Sequence, residues 1–441
     1  MNRNKNFVVR LFQIYLMKLL SPLFFFLFLS AALHAQRNPD STYMPNIHGI
    51  KLFQYGNQLG YPIITLGSTS SLELHFDDLD PKIKTYSYTY QLCDADWNVL
   101  DLSPLDYLRG FTENRLTQYR NSSVSLTRYV HYQALLPDKS CMPTKSGNYL
   151  LKIFLNSDTS KLAFTRRLLI VDSKLTVGVR ISQPYNSQLM TTRQKIQFSV
   201  DFAKLNILNP QQQVKVVVLQ NNRWNNAATG MQPQFMRGNI YEYNGERDFL
   251  FEAGKEYRWV DLQSFRYQSP HIASIDNHSV PPDVYVRPDP QRSQERFLMV
   301  QDYDGAYYIQ GSDVNNAWWQ GEYGKVHFTF LPNNLLSFQG KDVYIMGEMT
   351  ANALNDSTKL TFNEAKGVYE ISLLLKQGFY NYTYVTKDQG KKNSKPETAL
   401  TDGDYWETEN NYTILVYYRS LGNRYDELLG IATINSKLGV Q

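Results

Sequence analysis

Apolar and polar residues alternate in short runs along almost the whole chain, and this pattern constrains the fold more than any other feature. The clearest run extends from Thr85 to Cys93, where one face carries Tyr86, Tyr88, Tyr90 and Leu92. Alternation with a period of two is typical of a half-buried strand. Similar runs occupy residues 130–136, 149–155, 167–171, 175–181, 196–202, 214–219, 297–300, 326–331, 343–346, 369–375, 380–385 and 412–418.

The composition and the punctuation of these runs support the same interpretation. The chain contains 32 Tyr, 23 Phe and 6 Trp, and these residues favour the pleated, half-buried surface of a sheet. Clusters of Pro, Gly, Asn and Asp separate the runs and indicate turns. Many short strands joined by turns predict an all-β protein that consists of tandem immunoglobulin-like or early-set-like β-sandwich domains.

The length of 441 residues exceeds what one hydrophobic core usually holds, so several domains are expected. One boundary follows the run that ends at Val171, and a second lies in the Pro-Asn-Asn turn at 332–334. We therefore predict four segments: a signal peptide at 1–35, an N-terminal β-sandwich at 36–173, a second β-sandwich with long loops at 174–335, and a C-terminal β-sandwich at 336–441.

The first 35 residues have the pattern of a secretory signal peptide. Basic residues precede an apolar run at 19–29, and small residues follow it, with the expected cleavage after Ala35. The alternative is a membrane anchor, but the run is short for a span and contains Pro22. No second apolar run approaches spanning length, so we expect no direct membrane span once the signal peptide is removed.

The net charge of +4 belongs entirely to this leader. Four basic residues and no acidic residue lie in it, which leaves 41 basic and 41 acidic residues in the mature chain. A neutral chain has no overall electrostatic attraction for nucleic acids or anionic lipids. We therefore expect no nucleic-acid partner.

Motifs for catalysis, cofactors or metals are not evident. His271 and His278 lie seven residues apart in a polar segment, which is a weak metal pattern. The acidic run at 94–98 resembles the start of a calcium loop, but Val99 and Leu105 replace the required Gly and Glu. A turn with Trp97 packed inward is the better interpretation. We predict no enzyme activity, no cofactor and no metal site.

Cys93 and Cys141 are the two cysteines of the chain. Export to an oxidising compartment permits a disulfide between them. The alternative is that each is a buried thiol that packs as a small apolar residue. The sequence leaves both alternatives open.

An aromatic segment provides the candidate partner-binding residues. Aromatic side chains are common at the centre of protein interfaces. The candidates lie close together in sequence and are Tyr303, Tyr307, Trp318, Trp319 and Tyr323. The alternative is that these residues line the core of the second domain.

A carbohydrate-binding β-sandwich is the alternative function. Trp318, Trp319 and Trp406 could stack against sugar rings, although packing alone also buries many Trp side chains. The predicted hairpin at 367–384 occurs in some carbohydrate-binding modules and in many structural modules. It therefore indicates a fold and not a ligand.

Nine segments in order resemble the N-terminal domain of the type IX secretion system plug proteins of Bacteroidota. Their order makes the resemblance specific, because each segment alone would be weak. They are 50–53, 56–67, 74–79, 86–88, 93–97, 102–108, 110–114, 146–152 and 166–171. The likeness continues more loosely to about residue 335, and the hairpin at 376–382 resembles the family's last domain.

This resemblance implies a non-enzymatic, periplasmic protein of a protein-export system. Its expected partner is the large outer-membrane β-barrel translocon of the type IX secretion system, through which it would be associated with the outer membrane. Its expected role is to close the periplasmic opening of that barrel when no cargo is engaged. A reversible plug needs a moderately polar interface and not a core-like one.

Overall fold

Strands make up nearly all of the regular structure, which confirms the predicted fold class. The computed structural model describes residues 39–203, 205, 207–391 and 394–437, and the predicted signal peptide at 1–35 lies outside them. Within the described residues, helix is limited to α1, Pro210–Gln213, and α2, Ala317–Gln320, with 3-10 turns at Pro104–Asp106 and Glu348–Thr350. No helix in this part of the chain has both the length and the apolar character needed to cross a membrane.

The first sandwich packs a four-stranded sheet, β1-β3-β8-β7, against a five-stranded sheet, β2-β11-β10-β4-β6, and a short pair, β5-β9, lies beside them. Its core includes the four residues of the alternating run, Tyr86, Tyr88, Tyr90 and Leu92. The strands are β1 Ile47–Gln54, β2 Ile63–Thr65, β3 Leu72–Asp78, β4 Tyr86–Cys93, β5 Leu108–Gly110, β6 Asn114–Arg115, β7 Gln118–Asn121, β8 Val130–Leu136, β9 Cys141–Pro143, β10 Gly147–Leu155 and β11 Leu162–Val171.

The second sandwich begins directly after the first. Strand β13 pairs with β12, β17 and β18, and β17 pairs with β16, while β14 and β15 belong to the opposing sheet. The strands are β12 Thr176–Ser182, β13 Arg193–Asp201, β14 Val214–Gln220, β15 Arg223–Thr229, β16 Phe235–Arg237, β17 Ile240–Tyr243 and β18 Leu250–Glu252.

The third sandwich follows before the second is complete. Strand β28 pairs with β19, β23 and β25 in one sheet, and the other sheet has the order β20-β21-β24-β27-β26 with β22 beside β24. The strands are β19 Arg258–Asp261, β20 Ile272–Asp276, β21 Asp283–Val286, β22 Asp289–Pro290, β23 Tyr307–Ile309, β24 Tyr323–Leu331, β25 Lys341–Met346, β26 Thr361–Asn363, β27 Val368–Lys376 and β28 Gly378–Asp388.

The last two strands, β29 Asn411–Tyr418 and β30 Glu427–Asn435, return to the second sandwich. They complete the sheet β15-β14-β29-β30, and the core of this sandwich contains both Val216 and Ile414. The third sandwich is thus inserted into the second. The predicted boundary at 335/336 differs from this pairing, because β24 on one side pairs with β27 on the other. A Pro-Asn-Asn turn marks a chain reversal equally well inside a sandwich and between two of them.

The run at 297–300 was predicted as a strand, and this prediction is wrong. These residues are irregular and have no strand partner. Leu298 and Met299 are largely exposed, while Phe297 stacks on Tyr405 with ring centroids 4.6 Å apart. An apolar run without alternation does not distinguish a strand from a loop held by one aromatic contact.

Cys93 and Cys141 are free thiols in the structure, and both are buried. Burial raises the pKa of Cys93 to about 12 and that of Cys141 to about 11. A thiol that stays protonated at neutral pH is a poor nucleophile. Of the two alternatives left open by the sequence, the structure has the buried thiols.

Candidate functional site

The first and third sandwiches meet at a buried polar group that we call the Asp77 cluster: Asp77, His131, Tyr323 and Lys376. Strand pairing builds it from two halves. Asp77 in β3 lies opposite His131 in β8, and Tyr323 in β24 lies opposite Lys376 in β27. All four are at most 2% exposed. Two cross-strand pairs, one from each sandwich, therefore face each other across the contact.

Asp77 accepts hydrogen bonds from the other three members. One carboxylate oxygen, Oδ2, accepts from the Tyr323 hydroxyl at 2.6 Å and from the Lys376 ammonium at 2.5 Å. The other oxygen, Oδ1, lies 2.7 Å from Nδ1 of His131. Charge-assisted hydrogen bonds of this length are among the stronger ones in proteins. The carboxylate is therefore saturated by partners from both sandwiches.

The charges in this cluster compensate each other. Burial alone would raise the pKa of Asp77, but the Lys376 ammonium and His131 outweigh it and lower that pKa. Burial lowers the pKa of Lys376, and Asp77 counteracts the effect. Because none of these groups reaches solvent, the arrangement suits a fixed contact between sandwiches and not proton transfer to a substrate.

Trp318 closes the cluster from one side. It lies in α2, stacks on His75 with centroids 3.9 Å apart, and its carbonyl accepts from the Lys376 ammonium at 2.5 Å. Burial and the neighbouring His131 lower the pKa of His75 to about 3, so both rings are neutral at neutral pH. The indole thus covers a stack of uncharged imidazoles.

Tyr307 makes a second contact between the same sandwiches. Its hydroxyl donates to the Ile50 carbonyl at 3.0 Å, and its carbonyl accepts from the Lys51 ammonium at 2.6 Å. Lys51 also pairs with Glu348. Gln58 adds a two-way bond, since its amide donates to the Ile309 carbonyl at 3.1 Å and accepts from the Ile309 amide at 2.8 Å. The edge of the third sandwich is therefore joined to β1 and the turn after it.

Trp319, the next residue of α2, lies at the rim of this contact and is partly exposed. Its carbonyl accepts from the Ser123 amide at 2.8 Å, and the Arg120 guanidinium lies 4.4 Å from its ring centroid. A cation over an indole face is an attractive contact. Trp319 therefore contacts the first sandwich but keeps part of its ring accessible.

Tyr303 belongs to a different structure, a row of rings on the outer face of the third sandwich that we call the aromatic ladder. Phe379 lies at its centre, stacked on Tyr308 at 5.6 Å and on Trp259 at 5.5 Å. Trp259 also stacks on His271 at 3.7 Å, and Tyr303 packs edge-on against Phe379 at 5.7 Å. None of the five rings is fully buried, and Tyr303 is 37% exposed.

Strand pairing explains why these rings align. Tyr308 in β23 and Phe379 in β28 lie directly opposite each other. Trp259 in β19 lies opposite Asn381, two residues beyond Phe379 and on the same face. Aromatic pairs on one face of a sheet stabilise it, and a row of them leaves a flat apolar surface.

The five predicted partner-binding residues therefore do not form one patch. Tyr307 and Tyr323 are at most 5% exposed and contribute to contacts with the first sandwich. Trp318 is partly buried and stacked there too, Trp319 is partly buried at the rim, and Tyr303 is the one exposed residue of the five. Partner binding by Trp319 and Tyr303 stays a prediction. Trp406, predicted with the sugar-binding alternative, is partly buried against the core of the second sandwich.

The sequence did not reveal the Asp77 cluster or most of the ladder. A signal existed for Asp77, because two acidic residues end the apolar strand segment at 72–78. Its partner Lys376 lies about 300 residues away, and no local pattern joins the two. In the ladder, Trp259, Tyr308 and Phe379 are brought together by pairing among three strands that are not consecutive in the chain.

The acidic turn at 94–98 lies where the first sandwich meets the second. Trp97 is 8% exposed and packs edge-on against Trp224 at 5.0 Å. The Ala95 amide donates to Asp426 at 2.9 Å, and Asp94 caps the turn by accepting from the Asn98 amide at 2.8 Å. Around it, apolar residues of both sandwiches, among them Leu169 and Leu415, share one core cluster. This second contact is mainly apolar.

Comparison with known proteins gives a family and a structural relative. Residues 47–172, which span the strands of the first sandwich, match the family described as "Type 9 secretion system plug protein 1st domain". A crystal structure of a hypothetical protein from Parabacteroides merdae is similar, with 31% sequence identity and a TM-score of 0.86. The similarity covers 90% of this chain and 98% of that one. No curated protein matches the chain.

Proposed function

Since this chain belongs to the type IX secretion system plug protein family, we propose that it closes the periplasmic opening of that system's large outer-membrane β-barrel translocon when no cargo is engaged. The family match over the first sandwich is the observation that carries this proposal. The family is defined by a secretion system and is not a class of enzymes. The proposed protein is accordingly periplasmic, non-enzymatic and associated with the outer membrane through its partner.

The contacts between sandwiches support this role physically. A plug has to keep its shape against the opening that it covers, so its parts should not move independently. The Asp77 cluster joins the first sandwich to the third through buried charge-assisted bonds, and the turn at 94–98 joins the first to the second through an apolar contact. The insertion of the third sandwich into the second adds two covalent connections between them.

We further propose that the aromatic ladder, with Tyr303 at its end, contacts the translocon. Stiff aromatic side chains offer a large contact area at low entropic cost and are enriched at the centres of interfaces. Trp319, with the Arg120 guanidinium over its ring, is a second candidate contact with the translocon. The other three residues of the prediction from sequence, Tyr307, Trp318 and Tyr323, contribute to the contact with the first sandwich.

A pull-down of the tagged mature chain from mildly solubilised outer membranes tests both proposals. The wild-type chain is expected to recover the barrel translocon. Trp259→Ala and Tyr303→Ala are each expected to weaken binding about thirtyfold, which corresponds to the loss of about 2 kcal/mol at an interface hot spot. Tyr185→Ala is the matched control, because Tyr185 is 85% exposed in the second sandwich and lies outside the ladder.

The outcomes separate the two proposals. If the intact wild-type chain recovers no barrel although the translocon is expressed, the plug function is wrong. If the wild-type chain recovers the barrel and the ladder variants recover it equally well, the plug function stands and the ladder is not the contact.

Carbohydrate binding remains a second candidate function, and the ladder is the observation that favours it. Phe379 is nearly parallel to Tyr308 and Trp259, with interplanar angles of 9° and 18°. Such a row of rings is a platform on which sugar rings could stack. Binding to a glycan array that disappears in Trp259→Ala would support this function, and an array without bound glycans would contradict it.

A further inference from the structure

Four carboxylates gather where the second and third sandwiches meet, and we call them the acid cluster: Glu256, Asp302, Asp304 and Glu409. Glu256 lies between β18 and β19, the two aspartates precede β23, and Glu409 precedes β29. One carboxylate oxygen from each of Glu256, Asp302 and Glu409 lies within 4.8 Å of the others. Three segments that are distant in sequence therefore point oxygen ligands at one position.

The cluster contains buried oxygens that have no hydrogen-bond donor. Glu256 is 2% exposed, and its Oε1 accepts from the Glu409 amide at 3.2 Å. Its other oxygen, Oε2, has no partner, and neither does Oδ1 of Asp304. Buried carboxylate oxygens are normally satisfied, so two unsatisfied ones in one cluster call for an explanation. An ion is one of the partners that such exceptions imply.

The electrostatics agree with this reading of the geometry. Burial, together with the neighbouring carboxylates, raises the pKa of Glu256 to about 7 and that of Asp302 to about 6. Burial and the same neighbours raise the pKa of Asp304. Lys437, which is exposed, opposes these effects only in part. Like charges this close need either protons or a cation to coexist.

We propose that the acid cluster binds one Ca²⁺ ion, with Glu256, Asp302 and Glu409 as ligands and Asp304 as a fourth candidate. All ligands are carboxylate oxygens, which hard divalent cations prefer. Calcium–oxygen distances of about 2.3–2.6 Å allow ligands up to about 5 Å apart, and the oxygens of this cluster all lie within 4.8 Å of one another. Magnesium usually keeps several waters and binds through one or two carboxylates, whereas this cluster offers at least three.

The bound ion would hold the second and third sandwiches together. Glu409 leads into β29, which belongs to the second sandwich, and the two aspartates lead into β23, which belongs to the third. A ligand that binds only the folded arrangement stabilises that arrangement. This inference is independent of the proposed plug function, because it concerns only how the two sandwiches are held together.

Calorimetric titration of CaCl₂ into the chelator-treated mature chain at pH 7.5 tests the proposal. We expect one ion per chain with a dissociation constant of about 10⁻⁵–10⁻³ M, the range of sensor and extracellular sites. Glu256→Gln is expected to weaken binding at least about tenfold, because it removes a charged ligand and keeps the shape. Glu364→Gln, at an exposed position outside the cluster, should bind like the wild type.

Thermal unfolding with and without CaCl₂ is a second test, and it still applies if a variant is less stable than the wild type. The wild-type melting temperature should rise with Ca²⁺, and that of Glu256→Gln should not. Glu409→Gln, at a partly exposed ligand, provides a second variant with the same expected loss. If the wild-type chain shows neither binding heat nor a shift, or if both variants respond to Ca²⁺ like the wild type, the proposal is overturned and protons alone stabilise the cluster.

Discussion

The Asp77 cluster and the acid cluster both lie buried between two sandwiches, but they balance charge in opposite ways. In the Asp77 cluster one carboxylate faces an ammonium group, a hydroxyl and an imidazole, and it is saturated. In the acid cluster several carboxylates face each other, and two oxygens lack a donor. The first contact is complete with the groups of the chain, whereas the second needs protons or a cation from solution.

Because the two contacts rely on different groups, the stability of each contact can be set separately. A buried charge pair is costly to form but still more costly to break, so it holds the contact without any group from solution. A group of like charges makes a contact conditional on pH or on a bound ion.

The largest effect is expected from Lys376→Met. Removing the ammonium leaves the Asp77 carboxylate buried without its counter-charge, which typically costs about 3–5 kcal/mol. Urea unfolding of the mature chain measures the loss. Lys366→Met is the control, because Lys366 pairs with Glu370 at the surface and such pairs contribute about 0–1 kcal/mol. Equal stabilities of the two variants would show that the Asp77 cluster is not a structural contact.

A smaller effect is expected from acid, through the imidazoles that adjoin Asp77. The pKa of His75 is lowered from 6.5 to about 3, and that of His131 is lowered too. The folded chain therefore binds fewer protons than the unfolded chain, and stability is present above pH 6.5 and falls as the pH drops below it. We expect a loss of about 2–4 kcal/mol between pH 7 and pH 4.

The variant His75→Gln separates this contribution from general acid unfolding. It cannot titrate, so its stability should depend less steeply on pH between 7 and 4, although it loses the stack on Trp318 and starts lower. His278→Gln is the control, since the side chain of His278 is 98% exposed. A wild-type slope in His75→Gln would contradict the assignment of the acid loss to this imidazole.

The fold was largely predictable from the sequence because its signals are local. Tyr86, Tyr88 and Tyr90 alternate with polar residues, and they form the core face of β4 as expected. The insertion of one sandwich into another was not predictable. Strands β14 and β29 pair across about 190 residues, and no local sequence pattern indicates that they are partners. Family resemblance supplied the proposed function, and no other pattern in the sequence supplied it independently.

The candidate sites were less predictable for the same reason. Tyr303 was proposed and lies in an accessible row, but Tyr323, only 20 residues later, is buried against Asp77. Which face an aromatic residue takes depends on the strand that pairs beside it. The acid cluster draws Glu256, Asp302 and Glu409 from three loops, and no spacing rule for metal ligands covers such a set.

The smallest effect on stability is expected from raising the pH of the chain without bound cations. The acid cluster loses stability as the pH rises, whereas the imidazoles beside Asp77 lose stability as the pH falls. The pKa of Glu256 is raised from 4.5 to about 7, so this carboxyl is more easily protonated in the folded chain. Its stabilising contribution is complete below pH 4.5 and is lost as the pH rises through 7. We expect a loss of about 1–2 kcal/mol between pH 5 and pH 8 when EDTA is present.

Calcium should abolish this loss, because the ion replaces the protons that the carboxylates shed. Melting curves at pH 5 and pH 8, each recorded with EDTA and with CaCl₂, give the melting temperature under the four conditions. Glu256→Gln keeps the imidazoles beside Asp77 but should lack this alkaline loss and the response to CaCl₂, since its amide neither titrates nor provides a charged ligand. If, in EDTA, the stability of the wild-type chain relative to Glu256→Gln rose or stayed the same from pH 5 to pH 8, the acid cluster would not be a contact that depends on protons. The contrast between a self-contained and a conditional contact would then fail.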